Sequence, residues 1–148
     1  GRGQPGGAWE RAMSKRLPGM RMHCRPAGAA HEPGAIAAIP TDDSVFHLHD
    51  VSAPASGRGA IRDLVVALLA DSPDLHFEPT RVHFGTDHFV SEYVMSGTAG
   101  GKKFAIDGAD VFTIHDGLVA RKDSYLDWLA YQRQVGLDPA ARLKALGH

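Results

Sequence analysis

From residue 75 onwards, apolar residues recur at every second position, and this pattern constrains the fold more than any other feature of the chain. Four segments show the alternation, over residues 75–84, 88–96, 102–114 and 118–126. Short stretches rich in turn residues separate them, such as Gly85-Thr86-Asp87 and His115-Asp116-Gly117. Short loops between consecutive strands predict antiparallel hairpins, so this half of the chain should form an antiparallel sheet.

The chain before residue 75 is mainly helical in pattern. Between residues 59 and 70 the apolar side chains fall on one stripe of a helix, namely Ile61, Leu64, Val65, Leu68 and Leu69. Residues 8–24 and 32–39 are further helix candidates, although Pro18-Gly19 must end or kink the first of them. A strand is predicted over 44–49 and a loop over 54–57.

Helices followed by a run of antiparallel strands predict an α+β fold. We expect a cone-shaped, curved antiparallel sheet wrapped around the N-terminal helices, with an apolar pocket at its mouth. Helices over 128–135 and 139–146 should follow the last strand. Residues 1–30 are predicted to be an atypical, partly disordered segment, 31–137 the domain itself, and 138–148 a C-terminal helix or tail.

Composition excludes several functional classes. A chain of 148 residues with a net charge of −1 favours one domain and argues against a nucleic-acid or membrane partner. The single cysteine, Cys24, and the lack of a signal-peptide pattern favour a cytoplasmic location. The tightest histidine pairs, His47/His49 and His83/His88, have no third ligand at a recognisable spacing, so no metal site is predicted.

Asp110 is the strongest candidate for chemistry, because it lies in an otherwise apolar row with Ile106 and Phe112. Burial there favours the protonated form of the carboxyl group, which can donate a proton. Its partner on the facing strand should be Lys122 or Ser124 if even-numbered positions of the last strand point inward, an assignment that a β-bulge would overturn. The alternative is a structural carboxyl group satisfied by a neighbouring side chain.

Two further residues have both a structural and a functional interpretation. Tyr93 shares a strand face with Phe89 and Met95, so its phenol either completes the core or binds a ligand oxygen. Asp127 ends the last strand and immediately precedes a helix pattern, so we expect it to cap that helix rather than to face the pocket.

Several short motifs occur in the order typical of SnoaL-like proteins, which belong to the nuclear transport factor 2-like superfamily. The resemblance covers residues 31–137 and rests on these motifs: Thr41-Asp42-Asp43-Ser44, Gly57-Arg58-Gly59-Ala60-Ile61, Ser72-Pro73-Asp74-Leu75, Ser96-Gly97-Thr98, Asp116-Gly117, Tyr125-Leu126-Asp127 and Arg133-Gln134-Val135-Gly136-Leu137. It implies the cone-shaped fold, whereas the superfamily hosts several chemistries and many binding modules.

Three mechanisms of the superfamily are each incomplete in this chain. Limonene epoxide hydrolases use an aspartate–arginine–aspartate unit, whose arginine and first aspartate would fall on Tyr93 and Met95 and whose second aspartate would fall on Ser124. The protonated aspartate of ketosteroid isomerases aligns with Asp110, but their general base falls on Leu48. The histidine that often follows Gly-Thr in SnoaL-type cyclases is replaced by an alanine, at position 99.

The resemblance implies a cofactor-independent enzyme that performs acid–base chemistry on a small, apolar, oxygenated molecule, of the isomerase, cyclase, dehydratase or epoxide-opening type. Asp110 and Tyr93 would be its catalytic residues. The ligand would contact Phe46, Leu48, Met95, Ile106, Lys122, Ser124 and Leu126. The alternative is a non-catalytic ligand-binding module on the same fold. The apolar outer face around Val90 and Val94 fits the homodimer common in the family.

Overall fold

The computed structural model describes residues 41–50, 52–145 and 147. The predicted helices over 8–24 and 32–39, the predicted N-terminal segment 1–30 and Cys24 lie outside the described residues. Within the described residues, no helix is long and apolar enough to cross a membrane.

Every element predicted from residue 44 onwards is found in the structure, and the largest difference at an end is the extension of the second long strand to Ala99. The elements, in chain order, are β1 (Val45–Leu48), β2 (Ala55–Ser56), α1 (Gly57–Asp71), β3 (His76–Phe84), β4 (His88–Ala99), β5 (Lys102–His115), β6 (Leu118–Leu126), α2 (Trp128–Val135) and α3 (Pro139–Ala145).

The six strands form one curled, unclosed sheet in the order β2-β1-β6-β5-β4-β3. The hairpins from β3 to β6 are antiparallel as predicted, whereas β1 lies parallel to β6. The parallel pair arises because β1 precedes helix α1 and joins the sheet beside its last strand. The predicted loop over 54–57 is wrong in part, since Ala55 and Ser56 pair with Phe46 and Val45.

The turn between β5 and β6 is dictated by its two central residues. Asp116 and Gly117 both have positive φ, at 50° and 74°. Two consecutive positive values are typical of a type I′ turn, whose twist matches that of the flanking strands. The Asp-Gly motif therefore fixes the hairpin that brings β6 alongside β5.

The inner face of the sheet carries two apolar clusters. One joins Ile61 of α1 to four sheet residues, Phe46, Phe89, Phe112 and Val119. The other lies towards α2 and consists of Leu75, Tyr93, Met95, Phe104 and Ile106. Along the predicted helix stripe only Ile61 is fully buried, while Val65 and Leu69 remain 44% and 43% exposed, because α1 contacts the sheet mainly at β1 and β2.

A register shift between Thr113 and Ile114 decides which side chains of β6 face inward. Ile114 pairs with Val119 and Thr113 with Arg121, so Ala120 is an extra residue in β6. Beyond it the predicted parity is confirmed, since Lys122, Ser124 and Leu126 pair with Phe112, Asp110 and Gly108 of the inner face. Before it the prediction is wrong, because Val119 is buried in the core.

Candidate active site

Asp110 and Tyr93 meet on the inner face of the sheet. The Tyr93 hydroxyl donates a hydrogen bond of 2.9 Å to Asp110 Oδ1, and the two residues are 6% and 7% exposed, respectively. Their positions follow from the register of β4 and β5, in which Ser91 faces Asp110 and Tyr93 faces Gly108. The two candidate catalytic residues therefore form one buried unit.

Lys122 supplies a cation to the second carboxylate oxygen. Its Nζ lies 3.5 Å from Asp110 Oδ2. The same nitrogen lies 5.3 Å and 5.7 Å from the ring centroids of Phe46 and Phe112, within the range of cation–π attraction. The ammonium group is thus held between two aromatic rings and a carboxylate, and about a quarter of the side chain is exposed (26%).

The surroundings of Tyr93 keep its phenol protonated. Burial raises the pKa of this hydroxyl far above its usual value, and the negative charge of Asp110 and the hydrogen bond to it raise the pKa further. The hydroxyl of Ser124 opposes these effects in part. Tyr93 is consequently a hydrogen-bond donor throughout the neutral pH range.

A buried polar row crosses the three central strands at the level of Asp110. Ser91 on β4 and Ser124 on β6 face it in register, and the three residues are 5%, 9% and 7% exposed in the order Ser91, Ser124, Asp110. The row separates the two apolar clusters, since Phe112 belongs to one and Ile106 to the other. Sequence reasoning missed Ser91, although its alternation with Phe89 and Tyr93 was a usable signal.

Gly108 is a second residue that the sequence reasoning missed. A Cβ atom at this position would lie 2.5 Å from Leu126 Cδ2 and 2.7 Å from Tyr93 Cε2. The absence of a side chain therefore provides the space in which the Tyr93 ring lies over the β5 backbone. A glycine within a strand pattern is a recognised sign of such a close approach.

The other residues predicted to contact a ligand share the inner face. Phe46, Met95 and Ile106 are buried, and Leu48 and Leu126 are partly buried. Phe46 lies in the cluster around Ile61, whereas Met95 and Ile106 lie in the cluster around Tyr93. The structure thus brings all predicted site residues to one side of the sheet, with Asp110 between the two groups; their role towards a ligand stays a prediction.

A family model for the SnoaL-like domain matches residues 20–122. This chain belongs to the SnoaL-like family. No curated protein sequence matches it at a significant level.

Solved structures support the same fold. A protein from Catenulispora acidiphila with a ketosteroid isomerase-like fold, in complex with trimethylamine, has a TM-score of 0.63 and 22% identity over 68% of this chain and 78% of its own. A protein from Jannaschia sp. CCS1, provisionally named a SnoaL-like polyketide cyclase, has a TM-score of 0.60 and 18% identity over 67% and 74%. TerC, co-crystallised with polyporic acid, has a TM-score of 0.57 and 15% identity over 64% and 78%.

Two motifs that carry the family resemblance are in contact in this SnoaL-like protein. The Asp74 carboxylate accepts a hydrogen bond of 2.8 Å from the backbone N–H of Thr98 and one of 2.7 Å from its hydroxyl. These bonds lower the pKa of Asp74, the side-chain bond most strongly. The contact connects the residue before Leu75 and β3 to the end of β4 and does not involve Asp110. It therefore stabilises the fold rather than the candidate site.

The predicted helix cap at Asp127 is confirmed. Its carboxylate accepts a hydrogen bond of 3.0 Å from the backbone N–H of Ala130 in the first turn of α2. Asp127 is exposed, and α2 ends at Val135, after which Gly136 adopts the left-handed conformation of a C-terminal cap. Asp110 is buried, whereas Asp127 is exposed and lies outside the candidate site.

The outer face of the SnoaL-like sheet carries a second polar cluster, made of His47, His49 and Asp123. The parallel register of β1 and β6 places His47 directly opposite Asp123. The sequence reasoning found no third ligand for the two histidines because Asp123 lies on a strand far along the chain. Only strand order could have revealed it.

Proposed function

We propose that this SnoaL-like protein is a cofactor-independent enzyme that moves a proton within a small, apolar, oxygenated substrate at Asp110. The observation that carries the proposal is the buried carboxylate with a phenol on one oxygen and an ammonium group near the other. Within this unit the pKa of Tyr93 is raised by burial and by Asp110, and groups with shifted pKa values cluster at catalytic sites.

Each residue of the unit has a distinct role in this proposal. Asp110 removes a proton from a carbon beside a carbonyl group and returns it to another atom of the substrate, first as base and then as acid. Tyr93 and Lys122 are donors, and the charged Lys122 stabilises the negative charge that develops on the carbonyl oxygen. The two apolar clusters on either side of the polar row favour a ligand that is mostly hydrocarbon.

The test uses small cyclic ketones in deuterated water, because exchange beside the carbonyl group reports proton removal without knowledge of the natural substrate. We expect the wild type to incorporate deuterium, detected by NMR, and Asp110→Asn to exchange about a hundred-fold more slowly or worse. Asp107→Asn is the matched control, since Asp107 lies on the same strand, is exposed and pairs with Val94 of the outer face.

The second candidate function is a ligand-binding module, and one observation favours it. Both carboxylate oxygens of Asp110 already have a partner, as expected for a structural carboxylate. If the wild type and Asp110→Asn bind the ketones equally and neither incorporates deuterium, the ligand-binding function is supported and the proposed enzymatic function is contradicted.

Homodimerisation through the outer face of β4 and β5 is part of the proposal. The half-buried Val90, Val94 and Val111 lie on this face, and Glu92 among them accepts from Arg81 at 2.7 Å. Several partly exposed apolar side chains on one sheet face are typical of a surface that a second subunit covers. Light scattering should give twice the monomer mass, and Val94→Lys should give the monomer mass; a wild-type monomer would contradict the proposal.

A further inference from the structure

The cluster of His47, His49 and Asp123 on the outer face has the composition of a metal site. His47 lies on β1 and His49 directly follows the last residue of this strand, and their ring centroids are 3.8 Å apart. One nitrogen from each histidine and one Asp123 oxygen all lie within 4.8 Å of one another. The parallel pairing of β1 with β6 fixes this arrangement in the backbone.

The hydrogen bonding of the cluster is incomplete at one atom. Among the residues that the structure describes, His47 Nδ1 is a buried side-chain nitrogen without a hydrogen-bond partner. Buried polar atoms are nearly always paired, so an unpaired one calls for an explanation. A cation bound by the lone pair of this nitrogen satisfies it.

The carboxylate of the cluster already has two hydrogen-bonding neighbours, Arg121 and His49. Arg121 donates to both oxygens of Asp123 at 2.8 Å, and His49 Nε2 lies 2.7 Å from Oδ1. These contacts hold the carboxylate towards the histidines. The Arg121 side chain is 42% exposed, so it is free to turn into solvent when a cation takes its place.

We propose that His47, His49 and Asp123 bind a divalent transition-metal ion, with zinc as the reference ion. Two imidazoles and one carboxylate suit zinc and its neighbours, whereas calcium and magnesium require oxygen ligands. Donors around a tetrahedral zinc ion lie about 3.4 Å apart, so donor atoms that lie within 4.8 Å of one another need to approach by at most about 1.4 Å. Three protein ligands leave a fourth position for water or a small anion.

The metal site is independent of the proposed proton transfer. Its side chains lie on the outer face, whereas Asp110 and Lys122 lie on the inner face of the same sheet. The site also differs from the outer-face contact between His83 and Glu92, which contains no second histidine. His83→Ala is therefore a matched control.

The test is titration of the metal-free protein with zinc by calorimetry, repeated with cobalt to record the visible spectrum of the bound ion. We expect one zinc ion per chain, a tetrahedral cobalt spectrum, and proton release on binding. His47→Ala, His49→Ala and Asp123→Asn should each weaken zinc binding at least about a hundred-fold. His83→Ala should bind zinc as the wild type does.

Arg121→Gln keeps the three donors and removes the competing cation, so it should bind zinc more tightly than the wild type. Circular dichroism of each variant shows whether it has folded. The proposal is overturned if folded wild type binds no zinc, or if the His47 and His83 variants lose affinity equally. A failure here leaves the deuterium exchange at Asp110 unaffected, so the two proposals are tested separately.

Discussion

Replacing Gly108 by alanine tests whether the Tyr93 ring is held over the β5 backbone. The new Cβ would lie 2.5 Å from Leu126 Cδ2, and 2.7 Å and 2.9 Å from Tyr93 Cε2 and Cζ. Carbon atoms in contact are normally about 3.5–4.0 Å apart, so the ring must move by roughly 1 Å. A movement of that size breaks the 2.9 Å hydrogen bond from Tyr93 to Asp110.

Gly108→Ala should lower the free energy of unfolding through overpacking and through the lost hydrogen bond, and a smaller entropic effect should partly offset this decrease. Overpacking costs about 1–3 kcal/mol, and losing a hydrogen bond to a charged group costs about 1.5–3 kcal/mol. Alanine loses less conformational entropy than glycine when the strand forms, which returns about 0.5–1 kcal/mol. Gly108→Ala should therefore destabilise the protein by about 2–5 kcal/mol, measured by urea unfolding.

A double-mutant cycle separates the two losses. In the Tyr93→Phe background the hydrogen bond is already absent, so Gly108→Ala should cost about 1.5–3 kcal/mol less than in the wild type. Gly59→Ala is the matched control, because its Cβ meets nothing within 4 Å in helix α1; it should stabilise the protein by about 0.5–1 kcal/mol. Equal costs of Gly108→Ala in both backgrounds would refute the reasoning.

Three further changes have defined outcomes. Tyr93→Phe removes a phenol whose pKa is raised by burial and by Asp110. The protonated phenol stabilises the folded state below about pH 10, and this stabilisation is lost as the pH rises. The midpoint of urea unfolding should therefore fall less steeply from about pH 9 to 11 in the variant than in the wild type. Asp74→Asn removes a carboxylate whose pKa the Thr98 hydroxyl lowers. The ionised carboxylate stabilises the folded state above about pH 3.9, and this stabilisation is lost in acid. The variant should therefore be less stable than the wild type at neutral pH and lose less stability on acidification, and equal dependence of stability on pH in acid would contradict this expectation. Asp127→Ala removes the cap of α2 and should cost about 1 kcal/mol in urea unfolding, whereas Asp127→Asn should cost little.

The fold was predictable because its strands are consecutive and their turns are marked in the sequence. The alternation of apolar residues gave β3 to β6, and Asp116-Gly117 gave the last hairpin. The parallel pairing of β1 with β6 was not predictable, because pairing between strands far apart in sequence leaves no local pattern. The position of the bulge at Ala120 was also not predictable, because one extra residue in a strand reverses which side chains face inward without changing the composition.

The candidate site was predictable to the extent that strand parity determines it. Asp110 stood out as a charge in an apolar row, and its pairing with Ser124 and proximity to Lys122 follow from the β5–β6 register. The hydrogen bond from Tyr93 required the diagonal contact across β4 and β5, which depends on the empty space above Gly108. Side-chain packing of this kind cannot be read from spacing alone.

The motifs of the family resemblance turn out to hold the fold in place. Asp74 binds Thr98, Asp127 caps α2, and the Ser44 hydroxyl donates to the backbone oxygen of Val119 at 2.9 Å. None of these three contacts involves Asp110. Residues that maintain a shared architecture explain why the resemblance identifies the fold well and the chemistry poorly.

The pairing of β1 with β6 also sets the order in which the molecule can assemble. Hairpins β3 to β6 join neighbours in the chain and can form as soon as each strand is available, whereas Ser44 and Val119 are 75 residues apart. Phe46 therefore reaches Lys122 only after β6 is in place. We therefore expect the carboxylate and the ammonium group of the site to come together before the aromatic ring of Phe46 covers the ammonium group.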